Sequence, residues 1–248
     1  NDNEQTGIYI ITNNGSVITN NTANNNKFGI RIYWESDSNV MQNNTANDNS
    51  YAGFYLGPDA DNNVVKYNNA TGNPYGVMIE VGTGNEISFN DLYNNDYGAI
   101  IHNQSDSNNV SYNTISEGDY GVLINDSDSN HADYNTIENN TLGVQFLSVS
   151  SGYILGNDIV NNDWGINLSD ICSSVQITSN NVSYNTLGGI SVNGTGNSIS
   201  SNVLVDNSDY GLRMDSNCQD SGGSVSGNNI SGSVYGFDTS SVLDNIYT

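Results

Sequence analysis

"NNVSYNTISEGDYGVLI", residues 108–124, carries in one stretch the pattern that organises the whole chain. After Gly121 come Val122 and Ile124, apolar at the first and third places. Around Asn113, Val110 stands three places before and Ile115 two places after. Alternation of this kind puts each pair on one face of an extended strand. Outward from this stretch, a Gly followed by apolar, any, apolar recurs at Gly7, Gly29, Gly53, Gly76, Gly98, Gly121, Gly143, Gly165, Gly189, Gly211 and Gly236, at intervals of 22 to 25 residues. Thr239 is the one polar exception at those flanking places.

The Asn signal recurs at Asn21, Asn44, Asn68, Asn90, Asn113, Asn135, Asn157, Asn180, Asn202, Asn228 and Asn245. Inward apolar side chains in so short a unit cannot bury themselves alone, but stacked on copies they make one continuous core. Short strands joined by turns, with no helical period, predict a parallel β-solenoid. At about 4.8 Å of rise per coil, eleven coils make a rod on the order of 50 Å long. A stacked Asn can donate to and accept from the copies above and below, forming a ladder, and it tolerates a left-handed turn. The ladder accounts for 47 Asn among 248 residues without any chemistry.

Residues 108–124 and the similar "NEISFNDLYNNDYGAII", residues 85–101, resemble the right-handed parallel β-helix repeat family. The branch most like them is the Asn-rich repeats of archaeal surface proteins and NosD-like periplasmic proteins. The resemblance covers the whole chain. It implies an all-β, right-handed parallel β-helix of about eleven coils, 22–25 residues each, forming one domain over 1–248 without separate caps. For function it implies little, because the same fold carries lyases, hydrolases, epimerases, adhesins and purely structural proteins.

Composition narrows the classes. With 27 acidic and 4 basic residues the net charge is −23. Such a surface repels nucleic acid and anionic membranes, and no apolar run is long enough for a membrane span. A chain rich in Asn, Ser, Thr, Tyr and Gly and nearly free of Lys fits an extracellular or cell-surface setting. No cofactor is expected. Copper would need clustered His, Met or Cys, and His102 and His131 have no such neighbours in sequence. Asp37, Asp59, Asp61, Asp106, Asp126, Asp128, Asp170 and Asp215 gather in the turn after the first strand of each unit. A stacked acidic corner suits calcium, but a solvated edge that discourages sideways pairing is the better reading. Cys172 and Cys218 share an angular position two coils apart. About 9.6 Å of rise exceeds ordinary disulfide reach, yet both lie in loops, so a disulfide and two separate thiols both stay open; an exported setting leans towards the bond.

No catalytic residue is assigned. The basic inventory is Lys27, Arg31, Lys66 and Arg213, ill suited to a polyanionic sugar. The Asp-Pro-His-Asp signature of alginate epimerases is absent, and in so acidic a chain some pair of carboxylates always meets the hydrolase spacing. An aromatic precedes the anchor Gly at Phe28, Tyr75, Tyr97, Tyr120, Trp164, Tyr210 and Tyr235; its parity predicts a stack closing the core at a corner. Two places after the anchor, on the outward side, stand Tyr9, Arg31, Tyr55, Met78, Ile100 and Leu123, then the polar Gln145, Asn167, Ser191, Arg213 and Asp238. With Tyr33, Trp34 and His102 the first six make an exposed stripe, which predicts a protein contact or a glycan-binding face.

The functional expectation is a structural cell-surface protein, archaeal by resemblance, assembling with its own kind. Terminal "VLDNIYT" matches "VMQNNTA" at 40–46, and initial "NDNEQTG" matches the "NDNSYAG" that follows it. Asn1, Asp2, Asn3 and Gly7 of one copy would complete the coil that Asn245, Tyr247 and Thr248 of another leave half made. The partners expected are copies of the chain, end to end and laterally. The alternative is a carbohydrate-binding or polysaccharide-degrading β-helix using the outer face of the first six coils.

Overall fold

The computed structural model describes residues 5–218 and 223–239. The chain winds into a rod with three parallel sheets, of eleven, ten and eight strands. The eleven-stranded long sheet collects the run that follows each anchor Gly, as in Tyr97–His102 and Tyr120–Asn125. The other two take the residues before and after each ladder Asn, as in Asn109–Ser111 and Thr114–Ser116. From the third unit on, a full unit is therefore three strands, not the two alternating runs that the pattern suggests; in the first two units the third strand is reduced to bridges at Thr22 and Thr45. The ladder Asn occupies the corner that divides the second run.

Pairing is in register from coil to coil. Ala99 and Ile101 lie between Val77 and Ile79 on one side and Val122 and Ile124 on the other. The apolar positions of all three sheets meet in one core, from Ile18 to Leu212, nearly all of it inaccessible to solvent. Each such Val, Leu or Ile contributes about 1.5–3 kcal/mol when fully buried.

Three corners connect the sheets. At the first, the residue before the ladder Asn takes a left-handed conformation, with φ near +55° at Tyr67, Phe89, Tyr112 and Tyr134. The Asn then turns its amide inward. Asn68, for example, donates its backbone N–H and its Nδ2 to Asn90 Oδ1 at 2.9 and 3.0 Å, and Nδ2 also to the Met41 carbonyl at 2.9 Å. These bonds continue along the described ladder from Asn21 to Asn228; Asn245 lies outside the described residues. A second ladder holds the corner before the anchor Gly, through Asn49, Asn73 and Asn95, and resumes from Asn140 to Asn207. A third, not anticipated from sequence, joins Asn39, Asn63, Asn85, Asn108 and Asn130 at the corner that follows the long sheet. It stops where Phe146 fills the place beside Gly152, leaving Asn130 Nδ2 buried without a partner.

The anchor Gly has a steric cause. A Cβ on Gly98 would lie 2.3 Å from Ile115 Cγ2 and 2.7 Å from the Gly121 carbonyl oxygen. Gly98 thus faces the interior, and so does Ala99 after it. Two inward residues in succession reverse the parity, so the aromatic before the Gly faces outward. Phe28, Tyr75 and Tyr97 belong to a second apolar cluster on the outside of the long sheet, separate from the core. The predicted core-closing stack is corrected accordingly.

Cys172 and Cys218 are not joined: both are free thiols. Each donates its S–H to a main-chain carbonyl, Phe146 for Cys172 and Val192 for Cys218. Gly194 packs against the Cys172 backbone in the coil between them. Of the proposed head-to-tail joint, Asn1, Asp2, Asn3, Asn245, Tyr247 and Thr248 lie outside the described residues. Gly7 is described and makes the same corner contact as the other anchors, against the Gly29 carbonyl.

Candidate functional site

The long sheet presents one column of outward side chains to solvent, and the column divides in two. In the first half, Tyr55, Met78, Ile100 and Leu123 are only 5, 2, 8 and 8 % exposed. Tyr33, Tyr51, Tyr75, Tyr97 and Leu147, from the flanking columns, pack against them. The expected exposed stripe is therefore sealed along most of its length, because the parity reversal at each Gly brings bulky side chains onto the same face.

The sealing fails at the first coils. Tyr9 and Trp34 remain 46 and 54 % exposed, and Arg31 lies beside them. Its guanidinium carbon is 4.1 Å from the Tyr33 ring centre, 4.7 Å from Phe28, and 5.3 Å from both Tyr9 and Tyr55. Among the described residues no carboxylate pairs with it, and Arg31 Nε is buried without a hydrogen-bond partner. Four rings hold the planar cation by their π faces, while among the described residues its Nε–H finds no acceptor.

Beside this cage, the Tyr55 hydroxyl donates to Glu80 Oε2 at 2.6 Å, and Asn103 Nδ2 donates to Glu80 Oε1 at 3.3 Å. Burial, reinforced by Glu80, pushes the Tyr55 phenol far above its ordinary value, so it stays protonated. His102 pairs with Glu80 across the sheet. Burial lowers its pKa against the opposing pull of Glu80, which keeps the imidazole neutral at pH 7. His102 Nε2 is also buried without a partner. Of the residues singled out on this face, Tyr9, Arg31, Tyr33, Trp34 and Tyr55 come together. His102 joins through Glu80, which sequence reasoning missed, and Met78, Ile100 and Leu123 are withdrawn into the outer cluster.

Other chemistry-bearing groups have structural duties or lie elsewhere. In the acidic corner, Asp37 Oδ1 accepts the Asp61 N–H at 3.0 Å, and Asp61 Oδ1 accepts that of Thr83 at 2.7 Å. Asp106 and Asp128 do the same for Asp128 and Ser150. These carboxylates supply acceptors to main-chain amides of the next coil. Among the described residues no three His, Cys, Asp or Glu side chains are placed to hold a metal ion. On the second sheet, His131 Nδ1 lies 3.1 Å from Asp133 Oδ2 under the stacked ring of Tyr153, and burial raises the Asp133 pKa.

An aromatic row also escaped the sequence reading. Tyr67, Phe89, Tyr112 and Tyr134 stack at 5.0–5.2 Å with ring planes within 20° of parallel. The signal was available, since each precedes a ladder Asn. Their faces are turned to one another, although each side chain stays about half exposed, at 45–52 %.

The sequence profile of the right-handed β-helix region matches residues 1–115 and again 99–246. The chain belongs to the right-handed β-helix family. No curated protein matches the sequence. Among solved structures, this β-helix is similar to the A-module of the Azotobacter vinelandii mannuronan C-5 epimerase AlgE4, with a TM-score of 0.80 at 14 % identity over 95 % of this chain and 76 % of that one. It is also similar to DFA-IIIase from Arthrobacter chlorophenolicus A6 in complex with GF2, with a TM-score of 0.73 at 12 % identity, covering 86 % of this chain and 64 % of the other. A third is XylC in complex with xylose, at 0.61 and 12 %, over 74 % of this chain and 39 % of that one. At such identities the likeness is one of fold.

Proposed function

We propose that this β-helix binds carbohydrate on the outer face of its long sheet, with Arg31 and its aromatic frame as the recognition point. The observation that carries the reading is an Arg held by four rings yet with no anionic partner among the described residues. A guanidinium so fixed loses little freedom when it donates to sugar oxygens. The exposed rings of Tyr9 and Trp34 supply the flat apolar surface that a sugar ring needs. Structural neighbours that include a mannuronan epimerase and a protein in complex with xylose support the same reading. An extracellular setting is its companion proposal, on the acidic, Asn-rich composition.

Affinity electrophoresis of the full chain through gels containing individual polysaccharides tests it. A charge-assisted hydrogen bond contributes about 1.5–3 kcal/mol, so Arg31→Ala lowers affinity for the retarding glycan roughly 10- to 100-fold. Arg31→Lys restores part of it, having the charge but not the planar fork. Retardation of Arg31→Ala equal to that of the parent protein, with both folded by circular dichroism, defeats the proposal.

A further inference from the structure

In a repeat protein, a break in the repeat is where a purely structural account ends. On the long sheet the column before each anchor Gly runs Tyr75, Tyr97, Tyr120, Leu142, Trp164, Gly188, Tyr210. At its start the rings stack flat: Tyr97 and Tyr120 are 4.9 Å apart and 1° from parallel. At Gly188 the side chain is missing. The Tyr210 ring fills the vacancy, so closely that a Cβ on Gly188 would lie 2.6 Å from Tyr210 Cζ. Trp164 and Tyr210 are consequently 6.0 Å apart and tilted by 44°, with Tyr210 buried and the indole of Trp164 left partly exposed.

A cavity of about 210 Å³ opens there. Trp164 and Tyr210 line it together with Asn167, Ser191, Arg213 and Asp215. Drug-sized ligands occupy roughly 300–1,000 Å³; this cavity is of the order of a single sugar ring. An indole beside amide, hydroxyl, guanidinium and carboxylate groups offers an apolar face together with donors and acceptors for adjacent hydroxyls.

We infer that this cavity is a second sugar subsite, and that it takes an uncharged sugar. The inference rests on the reading that this face binds carbohydrate, and it adds a place and a substrate class. The class follows from charge. Arg213 Nε lies 3.1 Å from Asp215 Oδ1, so the pair presents hydrogen-bonding groups without a free cation. A uronate carboxylate would meet Asp215 in a chain of net charge −23. Arg31 and Arg213 stand in the same outward column, eight pairing steps apart. At about 4.8 Å per coil they are some 38 Å apart, so a linear uncharged glycan lying along the rod reaches both.

The test uses the full chain with xylan, glucomannan and inulin as uncharged probes and polygalacturonate as the charged one. Trp164→Ala and, separately, Arg213→Gln are expected to weaken binding of the preferred uncharged polymer about tenfold. Short oligosaccharides that fill only the Arg31 end should lose affinity with Arg31→Ala and not with Trp164→Ala. The chain has two tryptophans, so in a Trp34→Phe background the emission of Trp164 reports its own site and shifts as uncharged polymer is added. If Arg31→Ala weakens binding while Trp164→Ala and Arg213→Gln match the parent, the second subsite is wrong and the carbohydrate reading stands. If no polymer binds the parent protein, both fall. Preference for polygalacturonate overturns the uncharged class.

Discussion

Asn113 lies inside the rod, and each polar atom of its side chain is engaged. Its Oδ1 accepts from the Asn90 backbone N–H and Nδ2 at 2.9 and 3.0 Å. Its own Nδ2 donates to the Ile87 carbonyl and to Asn135 Oδ1 at 2.9 and 3.0 Å. Replacing it with Ala orphans a buried N–H, which alone costs about 1–3 kcal/mol, and leaves a cavity. Asn113→Ala is expected to lower unfolding free energy by about 3 kcal/mol in urea titrations. Asn21→Ala, at the partly exposed start of the ladder, should cost under about 1 kcal/mol; equal losses at the two positions would refute the ladder as the cause. The role of these Asn residues could be read from spacing alone, because every rung has the same environment. Arg31 could not be read in that way. Its importance comes from rings belonging to three different coils.

The turn into the long sheet shows where the pattern runs out. The Gly anchors are obvious in sequence, but their consequence is not: a second inward residue follows each one and exchanges the faces of everything before it. That reversal moved Phe28, Tyr75 and Tyr97 from the expected core to the outer cluster, and it covered Tyr55, Met78, Ile100 and Leu123. Gly98→Ala places a methyl group against the Gly121 carbonyl and Ile115. Main chain cannot yield as a flexible side chain does, so the substitution should destabilise by about 1–3 kcal/mol, read from the urea midpoint. A midpoint unchanged from the parent would mean that the corner is looser than these contacts require. The third Asn ladder, by contrast, was open to the same reading: Asn39, Asn63, Asn85, Asn108 and Asn130 each stand five places before Asn44, Asn68, Asn90, Asn113 and Asn135.

The rod as a unit carries a distinctive response to alkali. Burial is the first cause of raised phenol pKa values at Tyr51, Tyr55, Tyr97 and Tyr210. The folded state retains these protons above pH 10.0, the ordinary value at which the unfolded chain releases them. Their contribution to stability is therefore complete below pH 10 and declines as pH rises beyond it, at up to about 1.4 kcal/mol per pH unit for each fully shifted group. Urea midpoints are expected to fall above pH 10.0, and Tyr55→Phe should flatten that fall; an unchanged slope in the variant would show that Tyr55 is not responsible. Period, coil number, the inward residues and the long Asn ladder follow from the sequence by itself, since each is a local pattern multiplied by stacking. The identity of the exposed surface does not. Whether an outward side chain meets water, a neighbouring ring or a sugar depends on side chains one coil above and below, and on the parity that Gly reverses. Those relations arise only when the coils are stacked, which is why the sealed stripe, the caged Arg31 and the opening beside Trp164 belong to the folded rod.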